Sequence, residues 1–239
     1  MPRFFCNNIT QDKFLIAGED AKHISKVLRY EIGDLLTISD MNGTDYQGVI
    51  ENISGDFVTG AITSSEPCQN EPNIKLHLYM AMPKADKAEL IVQKAVELGA
   101  YEIVFILTHR CVSRPDDKSF LKKLERFNKI SFEAAKQSQR GIIPNVRGLL
   151  SYNKALDEIS GTSGILFYEN ATMPLKNIIK NSSENISIIV GSEGGFEENE
   201  VTLAIEKNIE IASLGKRILR CETAPIAAIS AIMYEKDNF

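Results

Sequence analysis

Three glycine-bearing turns in the C-terminal half hold the residues whose types and spacing could do chemistry. They are GILFYEN (Gly164 to Asn170), IIVGSEGGF (Ile188 to Phe196) and SLGKRILRCETAP (Ser213 to Pro225). Each breaks off an apolar run that reads as a strand. Glycines after a buried strand let the backbone approach a ligand closely, and the helix that follows has free N–H groups to donate. GSEGG by itself is neither a GxGxxG dinucleotide fingerprint nor a GxxxxGK[ST] phosphate loop, and a tight turn without a ligand would look much the same. Three such turns together predict a small-molecule site at the carboxyl ends of strands in an open α/β sheet. In the third, Ile218 and Leu219 are expected to wall an apolar pocket while backbone amides and Thr223 fix a polar ligand at a helix start.

A second group is cationic. Between Arg110 and Arg147 there are ten Lys/Arg against four acids, although the whole chain carries a net charge of −5. HRCVSRP supplies Arg110 and Arg114, and SFEAAKQSQR puts Glu133, Gln137 and Arg140 about one helical turn apart, along one face. Arginine's planar fork suits phosphate oxygens and base edges, so RNA is the expected partner. Arg3 in MPRFF and His23 in HISKVLR would add cations from the N-terminal part.

The elements that must position these groups divide the chain in two. The first 70 residues read as a small β-barrel of short strands, KFLIA, LLTISD, DYQGVIENI and FVTGAITS, separated by Gly33-Asp34, Asn42-Gly43 and Ser54-Gly55-Asp56. One helix interrupts them at Asp20 to Tyr30, N-capped by Asp20, with Ile24, Val27 and Leu28 on one face. The polar stretch SSEPCQNEPN (Ser64 to Asn73) reads as a linker, which sets domains of 1–70 and 71–239. Beyond it, strand and helix alternate. Ile74 to Met82 leads to a helix from about Ala85 to Leu98 closed by Gly99, then come a strand at Tyr101 to Thr108 and a basic helix at Ser119 to Ser138. The strands ILFYE, ISIIVG and IEIASLG follow, the last leading to a helix started by Pro225. Five such alternations predict a parallel sheet covered on both faces by helices.

Composition excludes other classes. With 44% apolar and 25% charged residues the chain is an ordinary globular protein. Four scattered cysteines without a CxxC pair read as free thiols, and three histidines without HExxH or a Cys/His cluster predict no metal site. No apolar run approaches the roughly 20 residues needed to cross a bilayer, and the N-terminus lacks a long apolar region, so no membrane association and a cytoplasmic location are expected.

MPRFF, HISKVLR, DKAELIVQKAVELG, EAAKQSQR, IIVGSEGGF and LGKRILRCETAPIAA run in this order across nearly the whole chain. Together they resemble the bacterial 16S ribosomal RNA uridine N3-methyltransferases of the SPOUT superfamily. The resemblance implies an N-terminal PUA-like β-barrel that binds RNA, a C-terminal α/β domain with a deep trefoil knot, and a homodimer that uses S-adenosylmethionine. Its cofactor loops correspond to Phe167, Tyr168 and Glu169, to Val190, Gly191 and Gly195, and to Leu214, Gly215, Ile218, Leu219, Arg220, Thr223 and Ala224. Ser192 stands where the family often has proline, and Cys221 where it often has threonine. RNA contacts fall to Arg3, His23, Arg29, Arg110, Arg114, Lys136 and Gln137, with 16S rRNA in the small ribosomal subunit as partner and another RNA such as tRNA as the alternative. For the chemistry, Glu222 or Glu193 is expected to accept the N3 proton and Arg140 to stabilise an oxyanion on the uracil carbonyl. The basic helix is expected to serve the neighbouring subunit's cofactor in a shared active site. Residues 1–70 carry five Lys/Arg against ten Asp/Glu, which predicts assembled particles rather than unstructured RNA as substrate.

Overall fold

Short runs of β-branched and aromatic residues pair into a five-stranded sheet at the N-terminus of this computed structural model, which describes residues 3–84 and 86–238. The strands are β1 (Arg3–Phe5), β2 (Lys13–Ala17), β3 (Leu35–Ser39), β4 (Thr44–Ser54) and β5 (Phe57–Pro67), in the order β1-β3-β4-β5-β2. Period-2 alternation turns Phe14, Ile16, Leu36, Ile38, Ile50 and Val58 into one core. Strand β1 pairs with β3 and β2 with β5; among the described residues no continuous ladder joins β1 to β2, and the residues after β1 meet β2 through the Leu15 N–H to the Asn8 carbonyl at 3.0 Å and an isolated Ile9–Phe14 bridge. Strand β1 belongs to the MPRFF motif, whose Met1 and Pro2 lie outside the described residues.

Two local expectations fail here. The helix foreseen from Asp20 to Tyr30 is α1 (Glu19–Lys22) followed by one π-helical turn (His23–Val27). Gly18, at φ +72°, starts it without a side-chain cap. The Leu28 N–H reaches back five residues to the His23 carbonyl at 2.9 Å, and this wider turn leaves Ile24 buried but swings Val27 outward. The stretch foreseen as a linker is also shorter, because Ser64 to Pro67 continue β5 against Thr44 to Gln47 of β4 with their polar side chains exposed.

The chain separates into Met1–Glu71 with Ala135–Ile143, and Pro72–Ala134 with Pro144–Phe239. The second unit holds β6 (Lys75–Ala81), α2 (Lys87–Glu97), β7 (Glu102–Leu107), α3 (Asp117–Gln137, up to Ala134), β8 (Asn145–Ser151) and α4 (Tyr152–Ile159). It continues through β9 (Ser163–Phe167), α5 (Leu175–Ile179), β10 (Asn185–Val190), α6 (Glu198–Glu206), β11 (Glu210–Ala212) and α7 (Thr223–Glu235). The expected start of α2 at Ala85 lies outside the described residues. Helix α7 begins at Thr223, two residues before the foreseen Pro225, which sits in the first turn, where a missing N–H costs nothing. The alternation has six strands rather than five, since NVRGLLS was not read as β8.

All five ladders are parallel, in the order β11-β9-β10-β6-β7-β8. Buried on both faces, β6, β7, β9 and β10 are near-continuous Ile/Leu/Val/Met/Phe runs. From β6 the chain steps outward to β7 and β8, then returns to the other side, where β10 lies next to β6. The direction of winding therefore reverses between β6 and β10, the position at which an open parallel sheet leaves a crevice beyond its carboxyl edge.

Candidate active site

The three glycine-bearing turns leave neighbouring strands. After β9, Phe167 is buried, the half-buried Tyr168 donates its N–H to the Ala212 carbonyl at 3.1 Å, and Glu169 is exposed. After β10, Val190 is buried, and a Cβ added to Gly191 would come within 3.1 Å of both the Gly195 Cα and the Phe196 ring. Gly195 sits at φ +64°, a left-handed conformation, with the Glu169 carboxylate oxygens 3.3 Å from where its Cβ would stand. Only glycine satisfies both constraints cheaply. Beside it Gly194 packs under Arg110, whose Nη1 donates to the Gly194 carbonyl at 3.1 Å.

The third turn departs from expectation. The N–H groups of Thr223 and Ala224 both donate to the Arg220 carbonyl at 2.9 Å, so the start of α7 is already occupied by its own chain. Leu214 is half-buried and Gly215, at φ +106°, exposed, as is Arg220. Leu219 is half-buried, and Ile218 is 82% exposed, so neither Ile218 nor this turn plugs the core. An apolar side chain held out on a glycine turn is a ready wall for an apolar ligand surface.

A lysine that the sequence reading passed over organises the two candidate acids. Lys87, the first residue of α2, lies 3.0 Å from Glu193 Oε1 and 3.1 Å from Glu222 Oε2. Glu193 comes from the turn after β10 and also accepts the main-chain N–H of Lys84, from the loop after β6, at 3.2 Å. These contacts bridge the two strands between which the winding reverses. Glu222 is the N-cap residue of α7 and accepts from the Cys221 thiol at 3.3 Å.

Charges in the cluster stabilise one another. Hydrogen bonds to Glu193 and Glu222 outweigh desolvation and raise Lys87 well above the ordinary lysine range. Burial pushes the Glu193 carboxyl up, but its own main-chain N–H, Lys87 and the Lys84 N–H overcome this and leave it lowered. Glu222 is lowered by its own N–H and then, against desolvation, by Lys87 and Cys221. Burial and the adjacent carboxylates push Cys221 up to about 12, so it is a thiol. One ammonium between two carboxylates leaves a net negative charge.

The cations expected to meet RNA divide into engaged and exposed. Arg140 is 3% exposed, and its Nε and Nη2 donate to Glu71 Oε1 and Oε2 at 3.1 and 2.7 Å. Glu71 also accepts the Gly141 and Ile142 N–H groups. That arginine is a buried brace of the first unit, and its assignment as oxyanion stabiliser is corrected: its fork is filled by a carboxylate 69 residues upstream. Arg3 is likewise buried, donating to Asp45, Ser39 and the carbonyls of Gln139 and Arg140. Arg114 donates to the carbonyls of Thr108, His109 and Cys111. Lys136 pairs with Asp20 at 2.5 Å. His23, Arg29 and Gln137 are exposed, Arg110 is half-exposed, and Lys118, Lys122 and Lys129 project from α3 into solvent. The four cysteines are buried free thiols. Among the described residues no cluster of three His, Cys, Asp or Glu could hold a metal ion, and no helix is long and apolar enough to cross a membrane.

Comparison with known proteins places this geometry. The model of the RNA methyltransferase domain matches residues 69–233, and that of the RNA methyltransferase PUA domain matches residues 16–63. Ribosomal RNA small subunit methyltransferase E of Bacillus subtilis is 34% identical over 234 residues, covering 94% of this chain and 91% of that protein. The Synechocystis protein of the same name is 33% identical over 215 residues, covering 88% and 69%. Among solved structures, ribosomal RNA small subunit methyltransferase E from Neisseria gonorrhoeae bound to S-adenosyl methionine superposes with a TM-score of 0.85 at 30% identity, covering 98% of this chain and 97% of that one. The chain belongs to the RNA methyltransferase family of the ribosomal RNA small subunit methyltransferase E proteins.

Proposed function

We propose that this protein transfers a methyl group from S-adenosylmethionine to N3 of a uridine in the 16S rRNA of the small ribosomal subunit. The observation that carries the reading is the set of three turns at the carboxyl edge of adjacent parallel strands, next to the Lys87, Glu193 and Glu222 cluster. The turns fit the donor: Gly191 and Gly195 keep the cradle clear, since a Cβ at either would crowd Phe196 or the Glu169 carboxylate, Ile218 offers an apolar wall, and the net negative cluster favours a cation. Phe167, Tyr168, Glu169, Val190, Gly191, Gly195, Leu214, Gly215, Ile218, Leu219, Arg220, Thr223 and Ala224 would hold it, the last two by groups other than their N–H, which donate to the Arg220 carbonyl. When bound, S-adenosylmethionine supplies an electrophilic methyl carbon, its C–S bond breaking as the N3–C bond forms and the sulfonium becoming a neutral thioether.

The protein's part is to position the base and take its proton. Glu222 and Glu193 are charged at neutral pH and so are proton acceptors. RNA would be met by His23, Arg29 and Gln137 in domain 1–70 and the segment counted with it, and by Arg110 with the lysines of α3 in domain 71–239. The reading includes a deep trefoil knot of SPOUT type in the connections around β9, β10 and β11, a homodimer, and a cytoplasmic place of action on assembled subunits. The test is transfer of radiolabelled methyl to small-subunit particles and to naked 16S rRNA, followed by location of the modified base. Label at uridine N3 in particles is the expected result; label only in tRNA, or at another atom, overturns it.

A further inference from the structure

Lys87 occupies the first position of α2, where the helix macrodipole disfavours a cation. Such a lysine needs either compensation or a use, and here two carboxylates from two other segments converge on it. The two differ in how they are held. Glu193 is tied at both oxygens to the Lys84 main-chain N–H, at 3.2 and 3.4 Å, as well as to Lys87. Glu222 meets Lys87 and the weakly donating Cys221 thiol at the same oxygen, Oε2, and beyond these, among the described residues, only its own main-chain N–H, with no bond from another strand's loop. One carboxylate is an anchor and the other is the more easily released.

We propose that Lys87 reads and polarises the target base: its ammonium donates to a uracil carbonyl oxygen while Glu222 accepts the N3 proton and Glu193 holds the lysine in place. This rests on the methyl-transfer reading above. A uracil edge presents a carbonyl acceptor beside the N3–H donor, and an ammonium beside a carboxylate presents the matching donor and acceptor. Cytosine offers a bare N3 and an amino group there, so the same pair would set acceptor against acceptor and donor against donor. The chemistry asks for the same arrangement. Carboxylates with lowered affinity for protons are weak bases for an imide, so the charge left on the uracil must be stabilised as it forms. Lys87 stays protonated and can only donate. The N3–H bond breaks, an O–H bond forms on Glu222, the electron pair left at N3 makes the new bond to the methyl carbon, and the proton later leaves to solvent.

The test compares wild type, Lys87→Met, Lys87→Arg and Glu193→Gln on particles reconstituted with RNA carrying uridine or the more acidic 5-fluorouridine. Lys87→Met is expected to lower kcat roughly 10²–10³-fold, the effect of removing one oxyanion donor. 5-Fluorouridine should restore at least about a tenth of the lost rate, because a base that ionises more readily depends less on the donor. Lys87→Arg keeps the charge and most of the rate, and Glu193→Gln loses less than Lys87→Met. Without the methyl donor, wild type should bind particles with uridine at the target more tightly than particles with cytidine there, and Lys87→Met should lose that preference. Wild-type kcat in Lys87→Met, or a defect that 5-fluorouridine does not relieve with the uridine preference intact, overturns the proposal. Should Lys87→Met fail to fold, a Glu193→Gln protein with wild-type kcat and KM overturns it instead. Wild type that methylates neither particles nor their RNA refutes the functional reading itself, a result distinct from these.

Discussion

Ser192 is a buried hydroxyl inside the turn after β10, 6% exposed, and no partner lies within hydrogen-bonding range of its Oγ among the described residues. Leaving a buried polar group unpaired costs about 1–3 kcal/mol, the desolvation it pays without return. Ser192→Ala removes that hydroxyl and little else, since the Ser192 carbonyl continues to accept the Gly195 N–H at 3.0 Å and the shape of the turn is kept. A gain of about 2 kcal/mol in a chain of this length raises the melting temperature by roughly 4–8 °C. Differential scanning calorimetry of the ligand-free protein reads the shift directly. Affinity for S-adenosylmethionine is expected to stay within about threefold, because the proposed reading has the turn grip through its backbone and its glycines rather than through this side chain. A melting temperature equal to or below wild type refutes the reasoning, since it would mean that the hydroxyl is satisfied and contributes to the fold.

Other perturbations follow from the same geometry. Gly194→Ala sets a Cβ 2.8 Å from the Arg110 Cβ, and overpacking of that kind costs about 1–3 kcal/mol; calorimetric titration should show weaker S-adenosylmethionine binding than wild type. Arg140→Ala strands Glu71 beside an empty space, and breaking a buried ion pair costs about 3–5 kcal/mol, so urea unfolding followed by circular dichroism should show a markedly lower midpoint. Burial raises the Glu102 carboxyl, but His77 and Arg147 hold it at about 2, below its ordinary 4.5. Its contribution is therefore complete above the ordinary carboxylate range and is lost as pH falls from there toward 2. Glu102→Gln should lower stability at neutral pH and flatten the acid limb of a stability profile measured by denaturant titration at each pH.

The sheet was legible because its strands are apolar on both faces and its turns are punctuated by glycine, signals that depend only on neighbours in sequence. Strand β8 was not, because NVRGLLS mixes a charge and a glycine into an edge strand that needs no continuous apolar face. Charge roles were the least legible. A helical spacing of three or four predicts which residues share a face but not what that face meets, so the spacing of Arg140 does not show that Glu71 fills its fork. Lys87 carried one readable sign, a cation at the start of a helix, and it was overlooked because the surrounding DKAELIVQKAVELG explains itself as an amphipathic helix.

Position along the strands separates structural charges from chemical ones. At the amino ends of β6, β7 and β8, His77 and Arg147 enclose Glu102, and Arg147 continues to Glu158 at 2.7 Å, so that one guanidinium is shared by two carboxylates. At the carboxyl ends, Lys87, Glu193 and Glu222 belong to loops and helix starts, and one ammonium is divided between two carboxylates. Both ends pair one full cation with two glutamates within hydrogen-bonding distance. The difference is in placement: Glu102 and Arg147 sit on neighbouring strands, while the second set stands on loops and helix starts beside the reversal in winding, where the proposed reading puts a cationic donor and an ionising base. Since glutamates paired with a cation occur in both sets, only the topology assigns them to one end or the other.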